Sequence, residues 1–219
     1  MIIRLGLLWL ILLAVPVMAQ VPTLRDTAVP YDVFVVEGDP EERQTFLGTL
    51  ESYPDMYEVM SDRDFTLSLQ LSQFNQTATL TQFSLIVVSE NERGRGVTEV
   101  VRQNPRLRDG WTERYDSQLA LSLHNAEAVA VPLKPGVYRF EISTPDNTGS
   151  YLLEFGTVPA QGGYFTTLER VRMVRDFFGV SGWGILRSTV ILYPIGFVLL
   201  FVLAGLTWRY RDRLRYGLR

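Results

Sequence analysis

The residues of this chain best equipped for chemistry are carboxylates. Asp39, Glu41 and Glu42 fall within one stretch, EGDPEERQ, and Asp62 and Asp64 within another. Two carboxylates held about 5–9 Å apart can hydrolyse a glycoside. The same oxygens can ligate calcium, and Asp39 and Asp146 are the metal candidates on that ground. A turn explains them without a ligand, because Asp and Asn cap their own backbone and accept left-handed conformations. That suits Asp146-Asn147 ahead of Gly149. The single histidine, His124, ends an alternating strand, where it reads as a strand position rather than a general base or metal ligand. No G-x-S-x-G, H-E-x-x-H, Walker A loop or strand-linked G-x-G-x-x-G occurs. With no cysteine in 219 residues, disulfides and thiolate zinc sites are excluded. The chain is expected not to be an enzyme, and no cofactor is implied, calcium being the open alternative.

The elements that carry these residues are framed by two apolar runs. MIIRLGLLWLILLAVPVMAQ has Arg4, then apolar residues from Leu5 to Val15, with Val17 and Ala19 at the −3 and −1 positions of a cut before Gln20. That is the pattern of a secretory signal peptide over 1–19. Ser188 to Trp208 is 21 residues without a charge, about 31 Å of helix and enough to cross a hydrocarbon core of ~30 Å. Trp183 and Tyr193 near one end, and Trp208 and Tyr210 near the other, suit the two interfaces. The tail 209–219 carries Arg209, Arg211, Arg213, Arg215 and Arg219 against Asp212 alone. Positive charge stays on the cytoplasmic side, so the tail is expected inside and the middle of the chain outside. That exported part, 20–187, holds 15 basic and 23 acidic residues, a balance of −8. An acidic exterior argues against nucleic acid as a partner. Of the 21 basic residues only Lys134 is a lysine, which suggests a GC-rich, prokaryotic genome.

Between the runs the chain reads as strands. Phe65, Leu67, Leu69 and Leu71 alternate with Thr66, Ser68, Gln70 and Ser72, the period of a half-buried strand. Tyr31–Val36, Met56–Val59, Phe83–Val88, Trp111–Tyr115, Leu119–Leu123, Val137–Ile142 and Tyr151–Phe155 read similarly, and Val97–Val101 with less regularity. Residues 20–31 are expected to be an extended leader. Eight or nine short strands without a long helix predict an all-β domain over 20–158, an antiparallel sandwich or jelly roll. One helix is expected within 159–187: Thr166-x-x-Glu169 is a capping-box pattern, and Val171, Val174, Phe177 and Phe178 share one arc. Such a helix beside a span lies on the bilayer surface or packs on the sandwich. Phe177, Phe178, Trp183, Trp208, Arg209 and Arg211 are the expected membrane-surface residues.

The order of these signals resembles a known family. Gly48-Thr49-Leu50, then Asp55-x-Tyr57 and an alternating strand, are followed by Pro135-Gly136-Val137-Tyr138 and Gly149-Ser150-Tyr151-Leu152-Leu153. Over about 45–156 this resembles the bacterial pre-peptidase C-terminal type of jelly-roll module. The resemblance implies a non-catalytic module of the kind appended to exported enzymes. The long 97–118 insert departs from the pattern, as does the absence of a peptidase before the module.

The expected protein is a single-pass envelope protein displaying a non-enzymatic sandwich for protein interaction or assembly, with membrane lipid and an envelope protein as partners. The 89–118 segment is the expected interaction surface, with Arg95 and Trp111 as anchors; a core tryptophan is the other reading of Trp111. A calcium- or glycan-binding module and a membrane-tethered carboxylate hydrolase are the alternatives.

Overall fold

The computed structural model describes residues 20–25, 29–75, 80–90, 96–107, 109–160 and 162–216, with side chains as far as Arg211. The signal-peptide reading of 1–19 and the candidate Arg95 lie outside the described residues. Among the described residues twelve strands form: β1 (Thr23–Arg25), β2 (Val33–Val35), β3 (Gln44–Glu51), β4 (Asp55–Ser61), β5 (Phe65–Phe74), β6 (Ser84–Glu90), β7 (Val97–Gln103), β8 (Trp111–Asp116), β9 (Leu121–Ala126), β10 (Val129–Leu133), β11 (Gly136–Ser143) and β12 (Thr148–Phe155). Helix α1 (Tyr164–Phe177), a 3-10 segment (Gly182–Arg187) and helix α2 (Thr189–Tyr216) follow.

The strands make two sheets, as the alternating pattern predicts. One runs β1-β3-β12-β5-β9-β8, with β10 also beside β5; the other runs β2-β4-β11-β6-β7. Pairing is antiparallel except at the edges, where β1 on β3 and β2 on β4 are parallel. The extended leader 20–31 supplies β1, and the strand expected over Tyr31–Val36 supplies β2. β1 and β2 lie in different sheets in the same chain order as β3 and β4, and both pairings run parallel.

Alternation fills the space between the sheets. Phe65, Leu67, Leu69 and Leu71 of β5 face Tyr57 and Val59 of β4, Leu85 and Val87 of β6 and Phe140 and Ile142 of β11 in one buried cluster. Tyr57 stacks on Phe140 at 4.8 Å, and Phe140 on Phe155 at 5.9 Å. The larger sheet is buried on its outer face as well. Leu47, Leu121, Leu123 and Leu152 pack there against Val171 and Val174 of α1. The helix is therefore a third layer on the sandwich rather than a separate surface element. Each fully buried valine there is worth about 1.5–3 kcal/mol over exposure.

Helix α1 starts two residues before Thr166, with Gly163 as its N-cap and no side-chain cap. The capping-box expectation is corrected: Thr166 lies inside the first turn, and burial of the apolar stripe sets the start. Glu169, Arg172 and Asp176 face solvent. At the other end Gly179 has φ +63°. Its N–H donates to the Asp176 carbonyl and that of Val180 to the Arg175 carbonyl, closing the helix in a Schellman motif.

A polar knot lies within the core. The Tyr151 hydroxyl donates to Asp55 Oδ2 at 2.5 Å and lies 2.7 Å from the Tyr57 hydroxyl. Asp55 is fully buried, and Arg25 Nε sits 3.7 Å from its other oxygen. The Arg25 guanidinium also bonds Asp32 at 3.1 Å and lies 5.6 Å from the Phe34 ring centre. Burial is the main cause that pushes both phenols well above their usual value of 10.0. A folded-state pKa above the unfolded one contributes stability below the unfolded value and loses it as pH rises past that value. Unfolding midpoints are therefore expected to fall steeply from about pH 10 upward. In Tyr57→Phe that alkaline slope should be shallower, as read by tryptophan fluorescence at pH 8 to 11.

Candidate functional site

Asp39, Glu41 and Asp146 are occupied by local hydrogen bonds and an ion pair. Asp39 accepts the Glu41 N–H at 3.0 Å and the Arg63 guanidinium at 2.5 Å, and these hold its carboxyl below the usual range. Glu41 accepts the Thr66 N–H at 2.9 Å. Asp146 accepts the hydroxyls of Thr148 at 2.8 Å and Thr144 at 3.1 Å, which lower it likewise. Asn147 beside it has φ +48°, the left-handed turn position that its residue type tolerates. Among the described residues no three His, Asp or Glu side chains converge as a metal ion would need. His124 bonds the Asn75 side-chain oxygen, and the Asn75 amide donates to Glu113 at 2.6 Å. This joins β9 and β8 through the residue that follows β5, without a nucleophile.

Trp111 is 8% exposed and meets Phe83 edge-on in the inter-sheet core. The expectation of an exposed anchor there is corrected: β8 turns the indole inward, where a partner has no access to it. Of the expected membrane-surface residues, Trp183 is 82% exposed, and Trp208, Arg209 and Arg211 lie on the exposed length of α2. Phe177 and Phe178 are half-buried on the sandwich, with Phe178 stacked on Phe74 at 5.3 Å.

The structure gathers polar function elsewhere, where α1, the 3-10 segment and the start of α2 meet the turn between β8 and β9. Asp116 shapes that turn by accepting the Gln118 and Leu119 N–H groups at 2.8 and 2.9 Å, and Ala120 takes φ +52°. Four consecutive turn carbonyls then point at the helical segments. Ser117 O accepts the Thr189 N–H at 2.9 Å and its hydroxyl at 3.2 Å. Gln118 O accepts the Ser188 hydroxyl. Leu119 O and Ala120 O accept one Arg175 nitrogen at 3.1 and 3.0 Å, while the other terminal nitrogen donates to Ser181 O at 2.6 Å. Ser188 and Val190 are buried at the head of α2. Gly184 is required by this packing, since a Cβ there would lie 2.0 Å from the Arg175 guanidinium. On the same helix Arg170 pairs with Glu154 of β12 at 2.8 Å.

Sequence reading missed both arginines, because arginine within an amphipathic helix looks solvent-facing. Spacing was the available signal: Thr167, Arg170, Val171, Val174 and Arg175 form one buried stripe at helical intervals. Arg175→Met keeps the stem and removes every donor, so three buried carbonyls lose a charged partner. A loss of about 3 kcal/mol is expected. Faster amide exchange across 117–120 and 181–190 should accompany it, measurable by mass spectrometry.

The chain matches no known protein family by its sequence, and no curated protein matches it. Among solved structures it is similar to the pre-peptidase C-terminal domain of collagenase from Bacillus anthracis. The identity is 12% over 59% of this chain and 98% of that one, with a TM-score of 0.35.

Beyond the sandwich, α2 is long and apolar enough to cross a membrane over Thr189–Arg211, 23 residues that are almost wholly unburied in the protein. The helix continues through Tyr216, so the first basic tail residues extend it.

Proposed function

We propose that this chain is a single-pass envelope membrane protein whose sandwich is mounted outside the bilayer on α2 for protein interaction or assembly. The observation that carries this reading is the seating of the head of α2. Ser188, Thr189 and Val190 are bonded to or buried against the sandwich, and from Leu192 to Trp208 the helix is an uncovered apolar rod. Exposed apolar helix of this length is costly in water and stable in lipid. The arginine-rich end favours a cytoplasmic tail, and the acidic balance of 20–187 suits the exported side.

The role is non-enzymatic in this reading. Asp39 and Asp146 serve turns and an ion pair, and His124 faces an asparagine. Cross-linking in the native cells, followed by purification in mild detergent, tests it alongside a chain in which 191–219 is an unrelated span. A partner kept with the foreign span places recognition on the sandwich. A partner lost with it places assembly within the membrane. Absence of a defined partner in both overturns the interaction role.

A further inference from the structure

Beside the seat of α2 lies a cavity of about 600 Å³, lined in part by Tyr115, Ser122, Arg175, Ser181, Trp183 and Arg187. Its full lining contains two arginines and no carboxylate. The segment around it is acidic overall, with 23 acidic and 15 basic residues. Arg175 is 2% exposed, and its Nε has no hydrogen-bond partner. Arg187 is exposed and makes no ion pair among the described residues. Its guanidinium is left to a ligand or to water.

The position of the cavity selects the ligand. Arg187 stands two residues before Thr189, where the apolar helix begins. Because the sandwich grips the head of that helix, the cavity is held at the level of the outer headgroups whenever α2 spans a bilayer. Trp183 and Tyr115, 82% and 56% exposed, are the amphipathic aromatics that settle at that depth. An arginine flanking a span on its outer side runs against the usual charge bias, and an anionic headgroup offers it a counter-charge. Guanidinium groups bind phosphate oxygens in a planar, two-pronged geometry.

We propose that this cavity binds the phosphodiester headgroup of an anionic phospholipid of the outer leaflet, with Arg187 as the contact to phosphate and Arg175 as the buried charge behind it. The proposal rests on the membrane-anchor reading above.

The test uses the full-length protein in a neutral detergent, titrated with dihexanoyl phosphatidylglycerol while thermal unfolding is followed. The expected result is a saturable rise in Tm. Arg187→Gln should raise the half-effect concentration roughly tenfold, the scale of one charge-assisted hydrogen bond. Arg102→Gln, which removes the same charge on the other sheet, should leave the curve unchanged. Trp183→Ala should weaken binding without loss of the folded signal. An equal rise from inorganic phosphate would mark a free-anion site and overturn the lipid assignment, as would an Arg187→Gln curve that overlies the wild type. Alkaline extraction of membranes separates this from the anchor itself. A chain that stays with the membrane but shows no saturable lipid effect sinks the cavity proposal alone. A chain released into solution sinks the anchor, and the lipid site with it.

Discussion

Asp55→Ala is expected to remove about 3–5 kcal/mol of stability, the scale for taking one partner out of a buried ion pair. Asp55 accepts the single proton of the Tyr151 hydroxyl, so the Tyr57 hydroxyl donates to Tyr151 in turn, and Asp55 stands 3.7 Å from the buried Arg25. Alanine would leave a phenol without its acceptor and a guanidinium facing a void, with Asp32 as its remaining carboxylate. For a domain of this size the loss corresponds to roughly 10 °C in Tm. Trp111, buried near Phe83, which itself meets Tyr151, is the natural fluorescence reporter. Asp55→Asn, which keeps an acceptor, should fall between the wild type and alanine. Adding Arg25→Met to Asp55→Ala should restore part of the loss, because an uncompensated buried cation is then removed as well. If both double and single variants unfold at the same temperature, the pair is not coupled.

Gly48→Ala is the second large effect. Gly48 pairs with Tyr151 across β3 and β12, and the Tyr151 ring lies over it. A Cβ at Gly48 would come within 2.3 Å of the ring carbon and 2.4 Å of the hydroxyl. The ring cannot swing away, because its hydroxyl is held by Asp55 and Tyr57. One added methyl is therefore expected to cost about 3 kcal/mol, the upper part of the range for overpacking. In a Tyr151→Leu background the same methyl should cost far less, a coupling that a double-mutant cycle reads directly. A full penalty in both backgrounds would mean that the clash lies elsewhere.

These two residues show how much was legible in the sequence. Gly48, Asp55, Tyr57 and Tyr151 all stand in the motifs that suggested a jelly-roll module. In the structure they meet as one unit: glycine beneath ring, ring hydroxyl on carboxylate, phenol on phenol. The alternating strands were legible for the same reason that they are stable, since period two places apolar side chains between two sheets. What stayed hidden depends on partners far away in the chain. Arg25 sits in a proline-flanked leader, and nothing nearby shows that Asp55 awaits it. Arg170 and Arg175 look solvent-facing until Glu154 and the carbonyls at 119, 120 and 181 are placed beside them. Trp111 begins an alternating segment, and alternation alone does not say which face is inward. The seat of α2 was hidden too, because backbone carbonyls carry no residue signature.

That seat has a mechanical consequence. Thr189 and Ser188 bolt the first turn of α2 to the turn between β8 and β9, with no slack segment between rod and head. In the proposed anchor the molecule behaves as a lever rather than as a float on a string. Spanning helices adjust to hydrocarbon thickness by leaning, and a lean of about 20° would carry the far loops of a domain ~30 Å across through roughly 10 Å. Bilayer thickness would then set the direction in which the loops face a neighbour.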